Sequence, residues 1–250
     1  MRLADLTLTP IMVGIMLFIS SQLASADLVL ETETAELGKA GDQLISTAIQ
    51  YERERNGSHA WLTVNQYEIG VTDRAELLIE PFFYEWNHPK GGAPTSGVGD
   101  LEITPSYRVF LEQPVLPAVV LALKIKVPTA TNAEIGTGEL DYYPYVILGK
   151  NMGDWVFNAN LGADVITSPP GQPLRNPFIW DFSVERKITP ARSIYAEAFS
   201  NSSPAVGEHG TTAGALATEY RWGKHVNVFI SAGYDSSELM IIRPGFNIEF

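Results

Sequence analysis

The sequence predicts an all-β chain, a twelve-stranded antiparallel up-and-down transmembrane β-barrel. Three observations carry that reading. Segments of about 10 to 13 residues alternate apolar and polar positions with almost no helical periodicity. The connections between them alternate in length. The last segment ends in Phe250 with a strict period of two.

The N-terminus does not belong to the barrel pattern. Ile11–Ile19 is apolar except for Gly14 and is preceded by Arg2; Ala24-Ser25-Ala26 then supplies small residues at the spacing a signal peptidase cuts. The apolar run is shorter than the roughly 20 residues of a membrane helix. Residues 1–26 therefore read as a signal peptide cleaved after Ala26, and 27–41 as a short periplasmic segment before a barrel over 42–250.

The predicted strands are 42–54, 59–71, 75–87, 98–111, 118–129, 138–150, 154–167, 178–189, 192–203, 211–223, 225–236 and 239–250. Short turns fall at Thr72-Asp73-Arg74, Glu112–Pro117, Asn151–Gly153, Thr189–Ala191 and Gly223-Lys224. The intervening connections are mostly longer, at 88–97, 130–137, 168–177 and 204–210, with short ones at Asn56-Gly57 and Ser236-Ser237. Short periplasmic turns and longer outside loops, with both termini in the periplasm, fit a bacterial barrel.

Strand faces follow from the same alternation. In the last strand Met240, Ile242, Pro244, Phe246, Ile248 and Phe250 face lipid, while Ile241, Arg243, Gly245, Asn247 and Glu249 face the lumen. Val119, Leu121, Leu123, Ile125 and Val127 face out, as do Phe157, Ala159, Leu161, Ala163 and Val165. A slip of one residue would put the intervening charges into hydrocarbon, at about 2–4 kcal/mol for a basic residue at the midplane. The pattern fixes register poorly at 60–70 and 139–148, where both faces look alike. Trp61, Trp86 and Trp180 fall near outer strand ends and Trp155 and Trp222 near periplasmic ends, as two aromatic belts require. All but Trp86 face lipid in this register.

The inward set is charged. Its pore-lining candidates are Glu80, Glu102, Arg108, Lys124, Lys126, Asp164, Asp181, Glu185, Glu197, Glu219, Arg221 and Arg243, joined by Glu52, Glu68, Glu76 and Lys187. These charges either line an aqueous path that selects solutes by sign or pair across the lumen and fill it. Tyr142, Tyr143 and Tyr145, with Phe82, Tyr84 and Trp86 pointing inward, could form an aromatic patch below the mouth or simply pack beneath the loops.

Several functions lack support. Net charge is −12, which opposes binding to nucleic acid. The chain has no cysteine, so no thiolate chemistry. His209 with Ser202 or Ser203 and Glu208 could be drawn as a hydrolase triad, but no spacing demands it, and no metal-ligand spacing accompanies the four histidines. The sequence is read as a non-enzyme without cofactor.

One resemblance adds to this. Gly97-Val98-Gly99-Asp100-Leu101-Glu102, then Pro105-Ser106-Tyr107-Arg108, Leu123-Lys124-Ile125-Lys126-Val127-Pro128-Thr129, Gly136-Thr137-Gly138 with Glu139 and Asp141, and Gly153-Asp154-Trp155 resemble the outer-membrane transporter family named for the MetA pathway of phenol degradation. Gly70-Val71-Thr72-Asp73-Arg74-Ala75-Glu76-Leu77 resembles that family's glycine–Thr-Asp-Arg turn, so the likeness covers most of 65–250. It implies a twelve-stranded barrel that moves small, often hydrophobic compounds. Related channels export functional amyloid, but they carry an N-terminal helical plug and coiled-coil extension, whereas only Asp27–Gly41 precedes strand one here.

The expected function is passive passage of small solutes, aromatic or hydrophobic compounds among them, across the outer membrane. The alternative is a plugged structural or adhesive barrel acting through loops 88–97 and 168–177. Expected partners are outer-membrane lipid, a small-molecule solute, and the barrel assembly machinery, through the C-terminal Phe250.

Overall fold

The computed structural model describes residues 31–81, 83–132, 135–136, 138–167, 174–201 and 210–250. The signal peptide and its cleavage site, Phe82, the Ser202/Ser203–Glu208–His209 set and much of loop 168–177 lie outside them.

Fourteen strand segments form one antiparallel sheet: β1 Gln43–Arg53, β2 His59–Thr72, β3 Ala75–Glu80, β4 Tyr84–His88, β5 Thr95–Val98, β6 Leu101–Phe110, β7 Ala118–Val127, β8 Asp141–Met152, β9 Trp155–Ala163, β10 Phe178–Thr189, β11 Arg192–Asn201, β12 Thr211–Trp222, β13 Val226–Asp235 and β14 Met240–Glu249. β3 and β4 both pair with β2 and together make one barrel strand; β5 and β6 make the next. That gives twelve barrel strands. β1 pairs with β2 on one side and β14 on the other, so the sheet closes. Phe250 donates its backbone N–H to the Gln43 carbonyl at 2.9 Å, completing the seam.

Closure joins the first and last strands, so backbone groups pair around the ring; among the described strands β5, at the long-loop mouth, pairs on one side alone. Alternation then sorts side chains. On β7 Val120 is wholly buried while its neighbour Leu121 is 48% exposed. On β14 Asn247 is wholly buried and Phe246 is 40% exposed. Turns close where left-handed backbone is needed: Gly57, Gly153 and Gly223 have φ of 99°, 66° and 85°.

The structure corrects one face assignment. Trp86 pairs directly with Trp61, and Tyr84 with Thr63, so both rings lie on the outer face. The expected inward course of this strand fails because β3 ends at Glu80 and β4 begins at Tyr84, with the alternation reversed between Glu80 and Glu85. The partner strand breaks at the same level, at Gly99-Asp100. Gly99 donates to the Phe83 carbonyl at 2.9 Å, and a β-carbon there would meet the Phe83 ring at 2.2 Å. The two interruptions are one paired irregularity. Sequence periodicity missed it because residues on either side still look amphipathic.

Strand ends also move. β5 begins at Thr95 and shortens loop 88–97 to residues 89–94, and β8 begins at Asp141 where the pattern suggested 138. The two ambiguous regions resolve: Gln66 and Glu68 are buried inside, and Asp141, Tyr143, Tyr145, Ile147 and Gly149 share the inner face of β8, with Tyr142 outside.

Candidate functional site: the barrel interior

Residues 27–41 are expected as a short periplasmic segment before strand one, and the structure describes them from Glu31. Their described part, from Glu31, runs inside. It rises from the short-turn end at β1, touches successive strands and ends near mid-barrel.

Each contact along it is specific. Gly38 donates to the Glu76 carboxylate at 2.6 Å, and the Leu37 carbonyl accepts from Arg108 at 3.3 Å. Ala35 N–H donates to Asn158 Oδ1 at 3.3 Å. Asn160 makes two bonds to Glu33, accepting from its N–H at 2.7 Å and donating to its carbonyl at 2.9 Å. Glu197 accepts from Glu31 N–H at 3.0 and 3.1 Å, from Thr32 N–H at 3.0 Å and from Thr32 Oγ1 at 2.8 Å. Arg243 pairs with the Glu31 carboxylate and donates to Gln50 at 2.6 Å. These side chains satisfy a strand-less backbone that has no ladder partner.

Packing holds the same segment. Ala35 and Leu37 join Ala118, Val120, Ala122, Tyr145 and Ile147 in a buried apolar cluster. The wall is recessed to receive it. A β-carbon at Gly70 would lie 1.8 Å from the Lys39 carbonyl oxygen, and one at Gly149 would lie 2.5 Å from the Ala35 β-carbon.

All twelve pore-lining candidates of the sequence reading stand on or beside the inner face, and many meet. Lys124 bridges Glu80 and Glu102 at 3.0 Å each. Lys126 pairs with Asp141 and lies 3.7 Å from Asp100. Tyr195 donates its hydroxyl to Glu219 at 2.6 Å, and Arg221 lies 3.5 Å from Glu249. Arg108 and Glu197 hold the N-terminal segment, as does Arg243. Glu185 accepts from Ser193 at 2.6 Å. Asp181 lies beside Glu197 and Glu31. Asp164 follows the end of β9, where burial, opposed by Lys124 and reinforced by Asp141 and Glu102, pushes its carboxyl up to about 6. Among the further inward candidates, Glu76 holds Gly38, Glu52 accepts from Gln50 at 2.5 Å, and Glu68 is buried.

Two cavities flank these contacts. One of about 360 Å³ opens near the short-turn end between the segment and the wall, lined by Thr32, Thr34, Ala35 and Glu36 on one side and by Arg108, Glu112, Lys150, Asn158, Glu185 and Tyr195 among others opposite. The second, about 310 Å³, lies under the long-loop mouth among Glu52, Ser58, Ala60, Asn87 and Thr95. They share no lining residue. The chain Glu52–Gln50–Arg243–Glu31 runs from the outer cavity to the tip of the segment.

Outside the barrel the surface is apolar, with aromatic rings toward both ends. Tyr51 and Trp61 meet at 4.7 Å, Tyr84 and Trp86 at 4.3 Å, and the Arg186 guanidinium sits 5.0 Å over Trp155. Trp222 is 72% exposed. Among the described residues no three His, Cys, Asp or Glu are grouped to hold a metal ion.

No protein family matches the sequence, and no curated protein does. Solved structures do. An outer-membrane channel from Pseudomonas putida F1 superposes with a TM-score of 0.72 at 12% identity, covering 86% of this chain and 98% of that one. The NanC porin gives 0.59 at 14%, over 82% and 100%. The KdgM porin gives 0.56 at 13%, over 82% and 99%. The likeness is one of fold. These barrels share its closed antiparallel architecture at identities too low to carry a substrate across.

Proposed function

We propose that the chain spans the bacterial outer membrane and passes small solutes passively, with residues 31–37 governing how far the lumen is open. The observation that carries this is the crossing of the interior by that segment between two separate cavities, inside a wall that is apolar outside and charged within. A lumen meant only to be filled needs no 360 Å³ cavity beside its filling. That volume lies in the range of about 300–1,000 Å³ typical of small-molecule sites.

The fold likeness to outer-membrane channels and porins supports the reading. One KdgM structure is described as a complex with oligogalacturonate, a polyanion. The acid-rich interior here favours other solutes. Its inner cavity carries apolar groups, Leu111, Ala118 and Val156, beside its polar ones. That mixture and the resemblance to the phenol-pathway family support amphiphilic or aromatic compounds. Export by a signal peptide cleaved after Ala26, and recognition of the final strand with Phe250 by barrel assembly machinery, complete the proposal.

A second reading has its own observation. The segment is held at Glu76, Arg108, Asn158, Asn160, Glu197 and Arg243, enough to keep a barrel permanently shut. The barrel would then be structural. Refolded protein in a planar bilayer decides between them. The channel reading expects discrete conductance steps with transitions to a closed or smaller level. Persistent silence from folded protein contradicts it and favours the structural barrel.

A further inference from the structure

The lipid-facing surface changes character at one level near the long-loop end. Arg53 of β1 pairs with His59 of β2, and His59 pairs with His88 of β4. Two residues nearer mid-barrel, Tyr51, Trp61 and Trp86 pair across the same three strands. Directly paired residues share a face, so Arg53, His59 and His88 stand in a row above that aromatic row on the outer surface. The two imidazoles stack, with centroids 4.9 Å apart and planes 6° from parallel, and His59 meets the Tyr51 ring at 6.2 Å. Loop 89–94 adds a second base. Lys90 donates its backbone N–H to Ser58 Oγ at 3.1 Å, and its Cδ lies 3.9 Å from a β-carbon built on Gly57. The loop thus lies on the turn that joins Arg53 to His59.

Carboxylates are sparse on this surface. The outer faces of β14, β1, β2 and β4 carry no Asp or Glu, since Glu52 and Glu85 alternate to the lumen. Glu238 is taken by Arg55, and Asp235 accepts the Ser237 and Leu239 N–H groups of its own turn. Glu54, in the β1–β2 turn, remains against Arg53 and Lys90. Arg53 is exposed and forms no ion pair among the described residues. This corner therefore carries one surplus base and two imidazoles, in a chain of net charge −12.

We infer that Arg53, His59 and His88, with Lys90 beside them, hold the phosphate of a lipid in the outer leaflet. The inference rests on the membrane-spanning part of the reading above and extends it to a partner. Two observations point to the same ligand. Indole and phenol rings favour the headgroup level, and the basic row lies about 7 Å further along the strands, where headgroup phosphates sit. The row also offers what a phosphate needs, a guanidinium fork and imidazole N–H groups, above apolar rings that take the acyl chains.

The test is native mass spectrometry of the refolded full-length protein with diphosphoryl lipid A, and with the same glycolipid freed of its phosphates. The phosphorylated lipid should be retained at least about fivefold better. Arg53→Gln should lower its retention by about fivefold, and Arg53→Lys should keep most of it. Joining Arg53→Gln to His59→Gln and His88→Gln should bring retention down to that of the phosphate-free lipid. Heat-modifiable migration on gels verifies that each variant folds. Equal retention of the two glycolipids by the parent, or unchanged retention in the folded triple variant, overturns this inference and leaves the barrel in the membrane. Folded protein that fails to float with vesicles of outer-membrane lipid overturns both.

Discussion

Ala35 lies over Gly149, a position on β8 where any β-carbon would come within 2.5 Å of the alanine methyl. The contact joins the N-terminal segment to the wall at a place that tolerates no side chain. Gly149→Leu is therefore expected to displace the segment without breaking the ladder, because Gly149 is in a regular strand pairing with Asn158 and Ala118. Limited proteolysis of the folded barrel should cut within residues 31–41 in this variant and not in the parent. Gly214→Ala, whose added β-carbon meets only the Glu197 carbonyl at 3.4 Å, should leave the pattern unchanged.

Glu197 is the polar anchor of the same segment. Glu197→Ala removes the acceptor of the Glu31 and Thr32 N–H groups and of the Thr32 hydroxyl. Bonds to a charged acceptor contribute about 1.5–3 kcal/mol each, so the ratio of docked to undocked segment should fall by at least about a hundredfold. Thr32→Val loses only the 2.8 Å hydroxyl bond, so that ratio should fall by about 1.5 kcal/mol, or roughly tenfold. Open probability in single-channel records should rank Glu197→Ala above Thr32→Val above parent.

Asp164 gives a pH dependence with a definite sign. Burial holds its carboxyl at about 6, above the ordinary aspartate value, with Lys124 pulling down and Asp141 and Glu102 pushing up. An acid whose folded value is raised binds its proton more tightly in the fold. Its ionisation therefore costs stability as pH rises from the unfolded value towards 6, and above 6 the negative charge is present. Cation preference should increase between pH 5 and 7.5, and Asp164→Asn should remove that step. A reversal-potential titration checks it.

Gly245 tests the wall itself. A β-carbon there would lie 2.3 Å from the Phe229 ring and 2.6 Å from the Thr47 carbonyl oxygen. Phe229 packs with Ala48, Tyr195 and Ala217 inside the barrel. Gly245→Ala should lower the temperature at which the folded band is lost on gels. Phe229→Ala should lower it as well, since emptying a buried aromatic site costs about 3–5 kcal/mol in soluble cores.

Much of this was legible in the chain. Period-two alternation located twelve barrel strands and sent Arg243, Asn247 and Glu249 inward, because lipid punishes the opposite register. Two things were not. The reversal between Glu80 and Tyr84 changes which face Tyr84 and Trp86 occupy, and nothing in amphipathic flanks marks an interruption matched by one on the neighbouring strand. The lumenal course of residues 31–41 was also hidden, since Glu31-Thr32-Glu33-Thr34 reads as a solvated stretch. Its signals were indirect: glycines at inward positions 70 and 149, and inward Asn158 and Asn160 with amides to offer a free backbone.

The most direct test of the account tethers the segment in place. The chain has no cysteine, so Thr32→Cys with Glu197→Cys can be bridged by a short, reducible bis-thiol reagent and compared with itself after reduction. The account predicts that the bridged protein holds one closed or low-conductance level and that reduction restores larger steps. Identical conductance before and after reduction would contradict the claim that residues 31–37 govern the opening of this barrel.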